Sequence, residues 1–182
     1  SFKKYKINTA QLLLTLNDSE ERRRYLNARK TINALHNKRV IPIINENDAV
    51  SFTELTVGDN DKLSALVAAL LPADLLVLLT TADGLVRDYG ETNAKLISIV
   101  RKIDATTKKF AGGTQSTTSI GGMASKLDAA KIVVRAGIPM VIANGNARGV
   151  LAGILAGEKI GTLFVPGADK LKGRKRWIAF FH

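Results

Sequence analysis

The chain has 182 residues, of which 46% are hydrophobic and 24% are charged, a balance that fits one folded domain and excludes extended disorder. It has no cysteine and only two histidines, which excludes disulfides, thiolate metal sites and a histidine-rich zinc site. The net charge of +11 favours anionic ligands, whereas an aromatic content of 5% argues against the stacking platforms that bind nucleic acid.

No apolar run in the sequence approaches the roughly 18 residues that a membrane span needs. The N-terminal stretch also lacks the pattern of a secretory signal. We therefore expect a cytoplasmic protein with no membrane contact, and no nucleic-acid partner for this domain.

The first half of the chain alternates strand and helix patterns. Asp18 or Ser19 can cap the first helix, and Leu26, Ile32 and Leu35 recur on one side of it, which predicts that this side is buried. The elements predicted here are strands at 7–15, 40–45 and 74–80, helices at 18–38 and 61–71, and a hairpin arm at 51–57.

Two of these strands, 40–45 and 74–80, are continuous apolar runs, which is typical of strands buried on both faces of a parallel sheet. The second half continues the alternation, and Gly137 is expected to end its long helix. The elements predicted here are short strands at 85–87 and 96–100, helices at 124–137 and 149–156, and strands at 139–144, 161–166 and 174–181. This order indicates an α/β fold with a mainly parallel sheet.

Polar clusters follow three of the predicted strands. They lie at 45–48, 80–84 and 144–146, each directly after a strand. Because ligands bind at the carboxyl ends of the strands in such sheets, we expect a functional site at this edge.

The richest polar clusters are "NEND" at 45–48 and "GDND" at 58–61. Together the two clusters place four carboxylates and three carboxamides within a span of seventeen residues. Either cluster alone is typical of a turn. Together they favour a site in which Asn60 donates to a carboxylate ligand and Asp48 accepts from an ammonium group, as an amino acid requires. A magnesium site is the alternative interpretation.

A glycine-rich stretch, "SIGGMASK" at 119–126, places Gly121 and Gly122 directly before a helix and Lys126 within its first turn. Backbone amides at such a helix start can bind phosphate, and the lysine can reach a transferring phosphoryl group. A flexible glycine loop is the alternative. The stretch "LLTTADGL" at 78–85 is by itself only a turn.

These segments resemble the glutamate-phosphorylating branch of the amino acid kinase family. The strings that carry the resemblance are "RRRYLNARKTINAL", "VIPIINENDAV", "VGDNDKLSALVA", "LLTTADGL", "GGMASKLDAAKIVVRAGI" and "GTLFVP…RKRWI". The resemblance covers essentially residues 1–182 and implies a three-layer α/β/α sandwich. It also implies phosphorylation of L-glutamate by ATP to L-glutamyl 5-phosphate, the first step of proline biosynthesis.

The resemblance assigns roles to residues by matching motifs. Lys126 would contact the γ-phosphoryl group, and Asp61 would organise the catalytic lysines. The glutamate-binding residues would be Asp48, Asn60, Asn45 and Asp59. The nucleotide-binding residues would be Thr80, Thr81, Ile120, Gly121, Gly122, Met123, Ala124, Ser125 and Lys126.

The implied chemistry needs no catalytic histidine or cysteine, since a glutamate side chain with a pKa of about 4.3 is already an anion at neutral pH. Mg²⁺ would bridge the phosphates of ATP. The family further implies a dimer or tetramer, inhibition by proline, and a C-terminal PUA domain in many members. It also implies an N-terminal lysine and phosphate loop that this sequence does not contain, so we expect the 182 residues alone to be inactive.

Two departures from the family pattern, Thr81 and Ile120, fall on the nucleotide side. The alternatives left open are another substrate within the same family and a non-catalytic regulator that binds a nucleotide or an amino acid.

Overall fold

The computed structural model describes residues 2–15, 21–47, 59–71, 73–88, 91–112 and 122–167. The strands are β1 (Thr9–Leu14), β2 (Ile41–Glu46), β3 (Leu76–Thr80), β4 (Val86–Arg87), β5 (Lys95–Leu96), β6 (Ile99–Val100), β7 (Met140–Asn144) and β8 (Thr162–Phe164). The α-helices are α1 (Arg22–Asn37), α2 (Asp59–Leu70), α3 (Ala105–Gly112), α4 (Met123–Arg135) and α5 (Val150–Leu155), and a short 3-10 helix spans Phe2–Tyr5.

The described strands form two main sheets and one small ribbon. β1 and β2 pair in parallel. A four-stranded sheet has the order β3-β7-β8-β6, in which β8 runs antiparallel to β7 and the other pairs are parallel. β4 and β5 form the antiparallel ribbon. The α/β class with a largely parallel sheet is therefore confirmed.

Helices cover both faces of the four-stranded sheet. Met140 and Ile142 of β7 belong to the same buried cluster as residues of α2 and α4. Val141 and Ala143, which alternate with them, pack with Val150 and other residues of α5 on the opposite face. This alternation is the side-chain period of a strand and makes the sheet the middle layer of three.

Small residues line the contact between α2 and α4. Ala65 of α2 and Ala129 and Ala130 of α4 are all at most 1% exposed and belong to one cluster. Because alanine has only a methyl group, such positions allow two helix backbones to approach closely. The close packing of these central residues fixes the two helices relative to each other.

The long helix α4 ends as the sequence predicts. Gly137 has a φ of 81°, its amide donates to the carbonyl of Val134 at 3.0 Å, and the amide of Ile138 donates to Val133 at 2.9 Å. A left-handed glycine closing the last carbonyls is a common helix terminus. The turn delivers the chain directly into β7.

The burial predicted for two strands and one helix is wrong in part. Ile41 and Ile43 of β2 are 46% and 45% exposed, and Leu79 of β3 is 49% exposed. In α1, Ile32 is buried, but Leu26 is 38% exposed. A continuous apolar run shows that a strand can be buried on both faces, whereas the packing of neighbours decides whether it is.

The start of one helix and the presence of another also differ from prediction. α2 begins at Asp59, two residues before the predicted start, and α3 was not predicted at all. The proposed caps Asp18 and Ser19, the arm at 51–57 and the strand at 174–181 lie outside the described residues. In the part of the chain that the structure describes, no helix is both long and apolar enough to span a membrane.

Candidate functional site

An ion pair joins the N-terminal ends of α2 and α4. The Nζ of Lys126 lies 3.0 Å from Oδ2 of Asp61, and the two side chains are only 11% and 18% exposed. The Oγ of Ser125 donates to the same carboxylate oxygen at 2.7 Å. We call Asp61, Ser125 and Lys126 the carboxylate cluster, because one carboxylate oxygen accepts from both neighbouring side chains.

Local sequence explains how each helix presents its part of the carboxylate cluster. α2 opens with Asp59, Asn60 and Asp61, residue types that are favoured at helix N-termini because they accept from unpaired amides or complement the helix dipole. α4 opens after Gly122, which has extended backbone angles and no capping side chain. The first amides of α4 therefore lie beside Lys126 at one helix terminus.

The packed helices make the carboxylate cluster a fixed group of charges. A buried ammonium group is costly unless a carboxylate and further hydrogen bonds compensate it. Asp61 supplies that compensation, and Ser125 helps to orient its carboxylate. Lys126 thus holds a positive charge near a helix N-terminus, which is an arrangement suited to a phosphate group.

A second polar group lies where β3 and β7 end. The Nδ2 of Asn144 donates to Oδ1 of Asp83 at 2.8 Å, and the Oδ1 of Asn144 accepts from the amide of Asn146 at 3.0 Å. The amide of Gly145 donates to the carbonyl of Thr80 at 2.8 Å. These bonds join the two turns that follow neighbouring parallel strands.

The pairing of Asp83 with Asn144 was not predicted from the sequence, which interprets Asp83-Gly84 as a simple turn. The available signal was that both residues follow strands of one parallel sheet, since the carboxyl ends of such strands lie at one edge. Nothing in the sequence alone indicates that β3 and β7 are neighbours, because 59 residues separate the two strands.

The residues predicted to bind glutamate are placed at two element ends. Asn45 is exposed near the end of β2, and Asn60 is exposed in the first turn of α2. Asp59 begins α2, and its side chain is outside the described part. Asp48 lies outside the described residues, so the pocket predicted from these four residues stays a prediction.

The residues predicted to bind nucleotide fall in two described groups. Thr80 is half-buried at the end of β3, and Thr81 is exposed directly after it. In α4, Met123 packs against the buried cluster and Ala124 is exposed. Ser125 contacts Asp61, a partner that the sequence did not predict.

Ile120 and Gly121 of the glycine stretch lie outside the described residues. Across the described ranges, no group of three or more histidine, cysteine, aspartate or glutamate side chains could hold a metal ion. A magnesium ion on a nucleotide does not require such a cage, because it keeps water and phosphate ligands and takes only one or two carboxylates.

Solved structures of several kinases share this fold. Carbamate kinase from Giardia lamblia bound to AMP-PNP matches with a TM-score of 0.61 at 18% identity, covering 91% of this chain and 65% of that chain. UMP kinase from Ureaplasma parvum matches with a TM-score of 0.52 at 11% identity, covering 90% of this chain and 62% of that chain. At these identities the likeness defines the fold class alone, an α/β fold that these phosphotransferases use.

The sequence comparison is more specific. The model of the amino acid kinase family matches residues 1–144, and the chain belongs to this family. It is 51% identical over 176 residues to the glutamate 5-kinase of Vibrio parahaemolyticus, covering 96% of this chain and 46% of that protein. It is 47% identical over 174 residues to the glutamate 5-kinase of Trichlorobacter lovleyi, covering 94% and 46%. The chain thus spans about half the length of the curated relatives it matches.

Proposed function

We propose that this chain contributes the carboxylate cluster and part of the substrate site of an ATP-dependent glutamate 5-kinase. Such an enzyme transfers the γ-phosphoryl group of ATP to the side-chain carboxylate of L-glutamate. The observation that carries the proposal is the buried contact of Lys126 with Asp61 at the start of α4. Identities of about 50% to proteins named glutamate 5-kinase support the choice of substrate.

Lys126 is proposed to stabilise the charge that develops on the transferring phosphoryl group. Catalysis of such a transfer depends on positioning and electrostatics, because the loose transition state needs little covalent help. Asp61 would keep Lys126 in one orientation, and Ser125 would do the same for Asp61. The contacts of the shared oxygen support these two positioning roles.

The proposed nucleotide site combines the first turn of α4 with the turn after β3. Amides at the start of a helix attract phosphate, and Thr80 and Thr81 offer hydroxyl groups at the sheet edge. Residues 120–126 and these two threonines stay the predicted nucleotide contacts. When bound, Mg²⁺ would supply positive charge that offsets the negative charge of the nucleotide phosphates.

The proposed glutamate site uses Asn45, Asp48, Asp59 and Asn60. Asn45 and Asn60 are exposed and can donate to a carboxylate, while the aspartates can accept from the ammonium group. A cytoplasmic location, an oligomeric assembly and inhibition by proline stay predictions.

Trapping of an acyl phosphate with hydroxylamine tests the proposed function. We would assay the 182-residue chain and an extended form, in which the segments of the Vibrio parahaemolyticus relative outside the match are added to its ends. The substrates are glutamate, aspartate, N-acetylglutamate and a blank, each with Mg-ATP. A hydroxamate with glutamate alone is the expected result for the extended form.

Other results of this assay would change the proposed substrate, the proposed activity or the expected inactivity of the 182-residue chain. A hydroxamate with a different carboxylate would move the substrate elsewhere in the family. An extended form that binds ADP but produces no hydroxamate would contradict the kinase activity and favour a binding protein. Full turnover by the 182-residue chain would overturn the expectation that these residues alone are inactive.

A further inference from the structure

Thr162, the first residue of β8, is a fully buried polar residue outside the carboxylate cluster, at 0% exposure. Because β8 is antiparallel to β7, its first residue lies opposite Ile142, close to the carboxyl end of β7. The start of β8 therefore lies at the same sheet edge as the end of β7, and Thr162 is close to the edge that carries Asn144.

The hydroxyl of Thr162 bonds to two other segments. It donates to the carbonyl of Ile97 at 2.7 Å and accepts from the amide of Leu85 at 2.8 Å. Leu85 is itself 0% exposed, and its carbonyl accepts from the amide of Ile97 at 2.8 Å. The hydroxyl thus ties the end of the turn after β3 to β8 and to the segment between β5 and β6.

Gly84 shows how closely the turn passes Thr162. Its φ is 149°, and a Cβ added there would lie 2.5 Å from Oγ1 of Thr162. At its other end the same turn is bonded to the residue after β7, since the carbonyl of Thr80 accepts from the amide of Gly145. Between the two ends, Asp83 accepts from Asn144, the last residue of β7. Residues 80–85 are therefore held at both ends.

We propose that Thr162 is a positioning residue that sets the turn 80–85 for nucleotide binding. The inference rests on the proposed function, which assigns Thr80 and Thr81 of this turn to the nucleotide. Thr81 lies between the two points of attachment, so a change at Thr162 shifts it without touching α4. Thr162 itself, being buried, is not expected to contact the nucleotide.

The test compares variants of Thr162 in the extended form of the protein by calorimetric titration with Mg-ADP and with glutamate. Thr162→Val keeps the shape and removes the hydroxyl, and Thr162→Ser keeps the hydroxyl. Thr107→Val is the matched control: Thr107 is also buried and its hydroxyl also donates to a backbone carbonyl, that of Lys102 at 3.0 Å, but it lies on α3.

We expect Thr162→Val to weaken ADP binding about tenfold, because the turn loses both hydrogen bonds of the Thr162 hydroxyl. Glutamate binding should change less than twofold, and Thr162→Ser should restore most of the ADP affinity. Thr107→Val should lower stability and leave ADP affinity within twofold. If Thr162→Val does not fold, Thr162→Cys offers a milder loss, because a thiol donates and accepts only weakly.

Three results would overturn the inference. The first is equal weakening of ADP and glutamate binding in the Thr162 variants, which a purely structural residue would produce. The second is unchanged ADP affinity in Thr162→Val, and the third is a wild-type protein that binds no ADP. Absence of glutamate phosphorylation with intact ADP binding would contradict the proposed function alone and leave this inference standing.

Discussion

The single oxygen Oδ2 of Asp61 accepts hydrogen bonds from both Ser125 and Lys126. A carboxylate held by two donors has little freedom to rotate, and a lysine held by it keeps one orientation. An enzyme that acts through electrostatics needs charges fixed before the reaction begins. At the scale of single residues, this shared oxygen is the feature that the proposed chemistry depends on.

Gly161, the residue before Thr162, is a position where the fold requires glycine. Its φ is 71°, and an added Cβ would lie 2.1 Å from the carbonyl oxygen of Ile142. We expect Gly161→Ala to lower the free energy of unfolding by about 3 kcal/mol or more, because backbone strain and a clash with a rigid strand add together. Urea denaturation measures the loss.

Gly157 provides the matched control, since its φ is 86° and nothing lies within 4 Å of its added Cβ. Gly157→Ala should cost only the backbone strain, about 1 to 2 kcal/mol. Equal losses in the two alanine variants would show that the contact with β7 does not matter.

At the scale of elements, α3 begins with a side-chain cap. Oδ1 of Asp104 accepts from the amide of Thr107 at 3.0 Å, and the hydroxyl oxygen of Thr107 lies 3.2 Å from the same carboxylate oxygen. The backbone hydrogen bond from Thr107 is the largest cause that lowers the pKa of Asp104 below its ordinary value of 3.8. The charged form therefore stabilises the start of this helix.

The lowered pKa of Asp104 predicts a dependence of stability on pH. Because the folded-state pKa lies below the unfolded one, the contribution is complete above the unfolded value and is lost as pH falls through the folded value. Asp104→Asn should be less stable than wild type at about pH 6, and the difference should shrink by about pH 3. Melting temperatures at both pH values measure it, with the exposed Asp74→Asn as the control.

If the difference in melting temperature between Asp104→Asn and wild type is the same at both pH values, the charge of Asp104 does not stabilise the start of α3. If Asp74→Asn changes the melting temperature as much as Asp104→Asn does, the hydrogen bonds of the cap make no specific contribution to stability.

The helix pair α2–α4 gives a second prediction at this scale. Ala65 is 0% exposed where the two helices pack. Ala65→Leu should lower the free energy of unfolding by about 1 to 3 kcal/mol through overpacking. It should also lower the turnover of the extended form, because it displaces Asp61 from Lys126.

Ala34→Leu on the exposed side of α1 is the control for added volume and should change stability by less than about 0.5 kcal/mol. Denaturation and the hydroxamate assay measure the two effects. If Ala65→Leu lowers stability but leaves turnover unchanged, the packing of α2 against α4 does not control the position of Asp61 relative to Lys126.

At the scale of the whole molecule, the periodicity of the sequence predicted most described strands and helices but not their exposure. β7 is buried along its length except at its last residue, as its apolar run suggests, whereas Ile41 and Ile43 of the similar run in β2 face outward. Periodicity reports what an element could bury, and the packing of distant segments decides what it does bury.

In the candidate site, too, the sequence predicted individual residues, whereas most contacts between distant segments became visible only in the structure. The resemblance implied that Asp61 organises the catalytic lysines, and the structure adds the distance of 3.0 Å between Asp61 and Lys126, which are 65 residues apart. The bond of Asn144 to Asp83 and the contacts of Thr162 were not predicted, because they depend on which strands are neighbours. An Asp-Gly pair is common in turns, so the sequence did not distinguish Asp83 from an ordinary turn residue.

Catalysis by the carboxylate cluster is tested most directly by comparing two aspartate variants, each of which removes one ion pair of α4. Asp61→Asn removes the carboxylate that pairs with the buried Lys126. Asp128→Asn removes the exposed carboxylate, 69% accessible, that pairs with Lys131 on the same helix. The measurement is kcat for glutamate-dependent hydroxamate formation by the extended form, with folding checked by circular dichroism.

We expect Asp61→Asn to lower kcat about 100-fold while the protein remains folded, because Lys126 loses its fixed orientation toward the phosphoryl group. Asp128→Asn should stay within about twofold of wild type, as is usual for an exposed ion pair. A folded Asp61→Asn variant with kcat within threefold of wild type would contradict the assignment of catalysis to the carboxylate cluster.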